Sequence, residues 1–267
     1  MSEQNTVKKQ PPVPAATILL IRDGDSGLEV FMVVRHHQID FASGALVFPG
    51  GKVDPQDTDE GWHAYLPKDI EDEQRILSIA AIRESFEECG VLLARDTESS
   101  LVSGKLLASL GSERDQLNAK KIPFISLFEN HVLTLASDQL VHFAHWITPP
   151  MMPKRFDTHF YLAPAPVDHV LKHDGHESVD SVWINPVTAL KEAAEGRRTV
   201  IFPTLRNLEK LARFQTVEHA LNTTRTETIV PVTPWVEKRE DGNYLCIPDN
   251  AGYTHCEELM PARGNSD

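Results

Sequence analysis

Three glutamates, Glu84, Glu87 and Glu88, follow directly behind one arginine, Arg83. On a helix advancing about 100° per residue, positions i, i+3 and i+4 share one side. Ile79, Ile82, Phe86 and Cys89 share the opposite side. Such a helix packs inward along its apolar side and presents a dense negative patch. Clustered carboxylates oppose one another's ionisation, and hard divalent cations, which take oxygen ligands, relieve that repulsion. For three glutamates alone, a solvated acidic face is the plainer reading. The upstream run Phe48-Pro49-Gly50-Gly51 weighs against it, because glycine lets a backbone approach a ligand closely.

The elements that must position these residues follow from apolar runs and turn residues. Residues 16–23 and 28–36 flank an Asp-Gly-Asp-Ser-Gly turn and predict a β-hairpin. Residues 45–48 predict a short strand feeding the glycine turn, and Gly90 suits the end of the acidic helix. Residues 140–149 and 155–166 alternate apolar and polar side chains and predict two more strands. A strand carrying Trp183, a helix opened by Pro186 and an amphipathic helix over 202–223 follow. Two hydrophobic strands, a glycine turn and an amphipathic helix imply a mixed α/β sandwich. The acidic stretch 58–75, with Trp62 and Tyr65, predicts a lid over the site or a solvated excursion. Residues 98–138 predict two or three added helices. Residues 1–14 predict a disordered lead-in, 15–224 the main domain, and 225–267 a C-terminal extension packing on it. That extension is expected to cover the substrate face or to pair with a second subunit in a homodimer.

Gly51, Asp57 and the run Arg83-Glu84-Ser85-Phe86-Glu87-Glu88-Cys89-Gly90-Val91 resemble the Nudix hydrolase signature. That signature is a glycine, five residues, Glu, seven residues, then R-E-U-x-E-E-x-G-U, with U a bulky aliphatic. Two departures stand out: Asp57 replaces the first glutamate, and 25 residues rather than seven separate it from Arg83. Arg35, Gly44, Phe48 to Gly51 and Asp54, with Trp146, Thr148, Pro149 and Arg155 to Ala163, are similar to the branch that includes the peroxisomal coenzyme A diphosphatases. Asp40 stands where that branch's coenzyme A signature has a second arginine. The resemblance covers residues 16–200 or so.

It implies an α/β fold, a Nudix-type α/β/α sandwich with a mixed β-sheet, carrying inserted helices and a C-terminal extension. It also implies a pyrophosphohydrolase that uses Mg²⁺ or Mn²⁺. Glu84, Glu87 and Glu88 would hold one to three ions with the Gly51 carbonyl, and Arg35, Gly50 and Gly51 would meet the substrate. Arg83 would orient a motif glutamate. Glu87 or Glu177 would be the base, Glu177 standing just before the strand of Trp183 where the family often places a metal-reaching glutamate. The expected substrate is a small-molecule diphosphate, coenzyme A or acyl-CoA first, giving 3′,5′-ADP and (acyl)phosphopantetheine. ADP-ribose or NADH is the alternative, and a non-catalytic Nudix-fold module binding a nucleotide or a partner protein is the competing class. Asp57 is expected to be structural, through turn hydrogen bonds.

Composition narrows the classes further. The 267 residues carry a net charge of −13, which argues against nucleic acid as a partner. A phosphate-rich substrate would then need cations to be tolerated. The three cysteines, Cys89, Cys246 and Cys256, have neither zinc-site nor disulfide-framework spacing. No apolar run reaches the roughly 20 residues of a membrane span, and the polar, proline-bearing start has no signal-peptide core. A cytoplasmic protein with no membrane partner is expected.

Overall fold

The computed structural model describes residues 11–35, 44–67, 70–169, 171 and 178–260, so Asp40 and Glu177 lie outside the described residues. The chain opens with β1 (Val13–Gly24) and β2 (Gly27–Arg35), an antiparallel hairpin paired from Ile21↔Val30 to Gly24↔Gly27. Val13 and Pro14 belong to β1, correcting the lead-in expected over 1–14; Val13 pairs with Phe156, which anchors that end. Beyond Ile21 the hairpin splays. The segment β3 (Leu46–Val47) and β4 (Gly50–Lys52) enters the gap, β3 pairing with β2 and β4 with β1.

Two 3-10 turns, Pro55–Thr58 and Glu60–Ala64, lead to the long helix α1 (Asp72–Cys89). Next come β5 (Ala94–Arg95), α2 (Gly104–Ser109), α3 (Gly111–Asn118), α4 (Ile125–His131) and β6 (Thr134–Leu135). The sheet is completed by β7 (Val141–Ile147), β8 (Phe156–Pro164) and β9 (Ser178–Ile184). Its order is β3-β2-β1-β8-β7, with β4 also on β1 and β9 also on β2. The β1–β8 pair is parallel and the others antiparallel, so the sheet is mixed.

Both faces are covered, which is why β1 and β2 read as unbroken apolar runs. Ile18, Leu20, Phe31 and Val33 point to a core shared with Ile79, Ile82 and Phe86 of α1. Leu19, Ile21, Val30 and Met32 point the other way. There they meet Ala189 of α5 (Pro186–Ala194), Leu208 and Leu211 of α6 (Phe202–Leu211), and Leu221 of α7 (Val217–Thr224). The layers are α/β/α. The single helix expected over 202–223 is two, because Phe214 turns into the core and the Thr216 hydroxyl caps α7 by accepting from His219 N–H at 3.2 Å.

The described part of the stretch 58–75 is exposed at Thr58 to Gly61, His63 and Ala64, as an excursion would be, but it is anchored rather than free as a lid would be. Trp62 is fully buried against Tyr65, Phe124 and Phe128, and its last four residues are already the first turn of α1. At the far end, β10 (Trp235–Arg239), β11 (Gly242–Cys246) and β12 (Glu257–Leu259) form a small antiparallel sheet. It is tied down by a buried chain in which Trp146 Nε1 donates to the Tyr253 hydroxyl and that hydroxyl donates to Asn207 Oδ1, both at 2.8 Å. Among the described residues no helix is long and apolar enough to cross a membrane.

Candidate active site

α1 is held at both the side and the end that matter. Ile79, Ile82, Phe86 and Cys89 are buried on its core side. At its C-terminus Gly90 takes the left-handed conformation (φ 71°), donating to Phe86 O, while Val91 N–H donates to Ser85 O. Arg114 and Asn118, from α3, reach back to the Glu87 carbonyl at 2.9–3.3 Å. These two contacts lie 27 and 31 residues from Glu87 and have no signal in the local sequence. The last turn of α1 is therefore pinned by the inserted helices.

Two of the three glutamates, Glu84 and Glu88, face the glycine turn, and Glu87 joins Glu84 on the Arg83 guanidinium. Glu88 Oε2 accepts the Gly50 N–H at 3.0 Å, and Glu88 is 8% exposed. The Glu84 carboxylate lies so close to Gly51 that a Cβ there would stand 2.5 Å from its Oε1. A Cβ on Gly50 would stand 2.5 Å from the Ala16 carbonyl oxygen. Glycine is required at Gly50, where backbone atoms crowd the position, whereas at Gly51 it leaves the Glu84 carboxylate room to lie against the turn.

The phase of the β1–β4 ladder decides which carbonyl faces the glutamates. Ile18 N–H donates to Pro49 O and Val53 N–H to Pro14 O, each at 2.9 Å. Hydrogen-bonded pairs of an antiparallel ladder fall at every second residue, so Ala16/Gly51 is one of them. That turns the Gly51 carbonyl toward β1. Gly50 sits at the intervening pair with its peptide groups on the glutamate side, as its bond to Glu88 shows. The carbonyl expected from Gly51 is thus better supplied by Gly50.

Arg83 is no surface ion pair. It is 4% exposed and its guanidinium uses every edge. Nε and one terminal nitrogen grip Asp57 at 2.9 and 3.0 Å, and the same nitrogen that holds Asp57 Oδ2 also donates to Lys52 O at 2.9 Å. The other terminal nitrogen donates to Glu84 Oε1 at 2.8 Å and Glu87 Oε2 at 2.7 Å. Asp57, with no exposure, also accepts the Asp54 N–H at 2.8 Å, closing a capping box around its 3-10 turn. Its turn hydrogen bonding was expected; its clasp on Arg83 was hidden by the 26-residue separation.

Charge in this cluster is lopsided. Burial works against the Arg83 charge, but Asp57, Glu84 and Glu87 together raise its pKa above the usual arginine value. Burial raises the Glu87 carboxyl above its ordinary range; Arg83 opposes the rise and Asp57 and Asp54 add to it. Burial likewise raises Asp57, against the pull of Arg83. Three carboxylates, Asp57, Glu84 and Glu87, share one guanidinium, and Glu88 stands beside them on the Gly50 N–H; all offer oxygen, the donor hard divalent cations take.

The structure thus brings together Arg83, Glu84, Glu87, Glu88, Gly50 and Gly51. Arg35 is set apart, at the end of β2 beside the splayed gap, half-buried, its N–H on Ala45 O at 3.1 Å. Glu177 falls outside the described residues.

Comparison with known proteins adds a second, independent line. A family model described as the NUDT19 Nudix domain matches residues 65–211. A putative nudix hydrolase 7 of Caenorhabditis elegans is 31% identical over 184 residues, 69% of this chain and 56% of that protein. The chain therefore spans little more than half of the length of that relative. The acyl-coenzyme A diphosphatase NUDT19 of Xenopus laevis is 22% identical over 283 aligned positions, covering 89% of this chain and 74% of that one. Among solved structures, a NUDIX hydrolase from Alicyclobacillus acidocaldarius superposes with a TM-score of 0.64 at 27% identity, over 80% of this chain and 96% of that one.

Proposed function

This chain belongs to the Nudix hydrolase family, through its NUDT19-type Nudix domain, and from that premise we propose that it cleaves the diphosphate bond of a nucleoside-diphosphate-linked substrate with Mg²⁺ or Mn²⁺. The observation that carries the reading is that Glu88 and Glu84 meet the Gly50-Gly51 turn while Arg83 holds Glu84 and Glu87 side by side. Glu84, Glu87, Glu88 and the Gly50 carbonyl are the groups that would hold the cations. When bound there, divalent cations neutralise charge on the diphosphate oxygens and lower the pKa of a water.

The chain's own residues do the rest. Arg83 fixes the Glu84 and Glu87 carboxylates by one nitrogen, so their second oxygens keep a set direction. The Gly50 N–H does the same for Glu88. Glu87, its proton affinity raised by burial, takes the proton of the attacking water at a carboxylate oxygen; Glu177 is the competing base. The phosphate then leaves with its organic group.

Coenzyme A or its acyl esters lead as substrate, giving 3′,5′-ADP and (acyl)phosphopantetheine. Support comes from the Trp146 to Ala163 block and from the named activity of the frog relative. Asp40 favours a second reading, ADP-ribose or NADH, because an acid there is unsuited to an added phosphate. Three cysteines without a disulfide suit a reducing, cytoplasmic setting.

The test is Glu87→Gln. Mg²⁺-dependent cleavage should fall by at least about 100-fold with an unchanged circular dichroism spectrum; near-wild-type turnover removes Glu87 from the mechanism. Mass detection of 3′,5′-ADP against AMP across a substrate panel separates the two substrate readings.

A further inference from the structure

On the α1 face of the sheet, clear of the glutamates, we propose that His145, Asp157 and His159 form a second metal site, one that takes a single borderline divalent transition ion, zinc by its chemistry, and keeps a coordination position open. One donor atom from each of the three side chains lies within 4.8 Å of the other two. His145 Nε2 contacts Asp157 Oδ1, His159 Nε2 stands 3.9 Å from the same oxygen, and the two imidazoles stack with centroids 3.9 Å apart. Ligands about 2.1 Å from a tetrahedral zinc stand about 3.4 Å from one another. The two stacked rings, their planes 24° apart, would turn to aim both Nε2 lone pairs at one ion.

The backbone is arranged to make this cluster. His145 pairs with His159 and His142 with Tyr161, but the register shifts between His142 and Ala144. Plain alternation would put His142 and His145 on opposite faces. The bulge at Phe143, whose side chain joins the core on the other side, brings both histidines to the α1 face. His142 Nε2 then meets His159 Nδ1 at 3.1 Å. With its Nε2 on a metal, His159 would carry its proton on Nδ1 and donate it to His142, the outer-shell bond that orients a metal-binding imidazole.

The donor set selects the ion. Two imidazoles and one carboxylate suit zinc, cobalt, nickel or ferrous iron, whereas the all-oxygen cluster on α1 suits magnesium or manganese. Side-chain exposures of 15%, 33% and 13% for His145, Asp157 and His159 leave solvent a route to the fourth position. The two sites share no ligand. Gly51, Ala16, His159 and His145 form one row across the sheet, so His159 lies two strands from Gly51, roughly 10 Å at about 4.8 Å per strand.

Cobalt reads the site directly. The chelator-treated full chain is titrated with Co²⁺ alone near neutral pH, both as wild type and as the Glu84→Gln/Glu87→Gln double variant. One Co²⁺ should bind with the strong visible bands of a four- or five-coordinate ion, equally in both proteins, and one Zn²⁺ should displace it. Retention in the double variant keeps this outcome separate from the fate of the diphosphatase reading. His159→Asn and, as a milder change, Asp157→Asn should each weaken uptake at least about tenfold without altering the circular dichroism spectrum. Absence of those bands in the wild type overturns the proposal, as does uptake indifferent to both substitutions; the cluster is then an ion pair between neighbouring strands.

Discussion

Replacing Asp57 by asparagine isolates the contact that joins the glycine turn to α1. Asp57 has no exposure and Arg83 only 4%, so solvent screens neither partner. Removing one member of a buried pair typically costs about 3–5 kcal/mol, because the other charge is left without compensation. Here Arg83 keeps Glu84, Glu87 and the Lys52 carbonyl, and an asparagine oxygen can still accept the Asp54 N–H. The lower end, about 3 kcal/mol, is therefore expected. At about 2–4 °C per kcal/mol for a chain of this size, Tm should drop by about 6–12 °C. The measurement is thermal and urea unfolding followed by circular dichroism in chelator, which removes any contribution from bound cations. A fall below about 2 °C, the scale of an exposed ion pair, would show that the clasp does not hold this region and would refute the reasoning.

Gly50→Ala places a methyl 2.5 Å from the Ala16 carbonyl oxygen and 2.6 Å from Thr17 Cα, so unfolding should be easier by at least about 2 kcal/mol, checked by the urea midpoint. Trp62→Ala should cost about 3–5 kcal/mol as a core truncation while turnover per folded molecule stays unchanged; a loss of turnover without loss of stability would restore the lid. The histidines of β7 and β8 give a pH signature. The folded pKa values of His142 and His159, about 4, lie below the ordinary 6.5, so the unfolded chain binds more protons between those limits. Their stabilisation is complete above pH 6.5 and is lost as pH falls toward 4. In chelator, Tm should therefore fall more steeply over that window in the wild type than in His142→Gln/His159→Gln.

The acidic helix was legible because its information is local: the spacing of Ile79, Ile82 and Phe86 against Glu84, Glu87 and Glu88 fixes both faces at once. The central strands were legible for the same reason, as runs too apolar to face water on either side. Long-range partners were not. Trp62 lies in an acidic stretch and reads as surface, yet its ring partners Phe124 and Phe128 come from the inserted helices. Choosing between the Gly50 and Gly51 carbonyls depends on ladder phase with β1, which no neighbouring residue encodes. The gathering of His142 and His145 on one face depends on a bulge that an alternating sequence conceals.

The 25 residues between Asp57 and Arg83 bear on how this fold tolerates growth. Loop-closure entropy rises only as (3/2)RT ln n, so lengthening a tether from seven residues to 25 costs about 1 kcal/mol. One indole buried as completely as Trp62 returns about 4 kcal/mol through its apolar area. Burial of Trp62 thus offsets the closure cost of the longer tether. The buried carboxylate–guanidinium clasp bridges that added length, tying the glycine turn to the acidic helix directly.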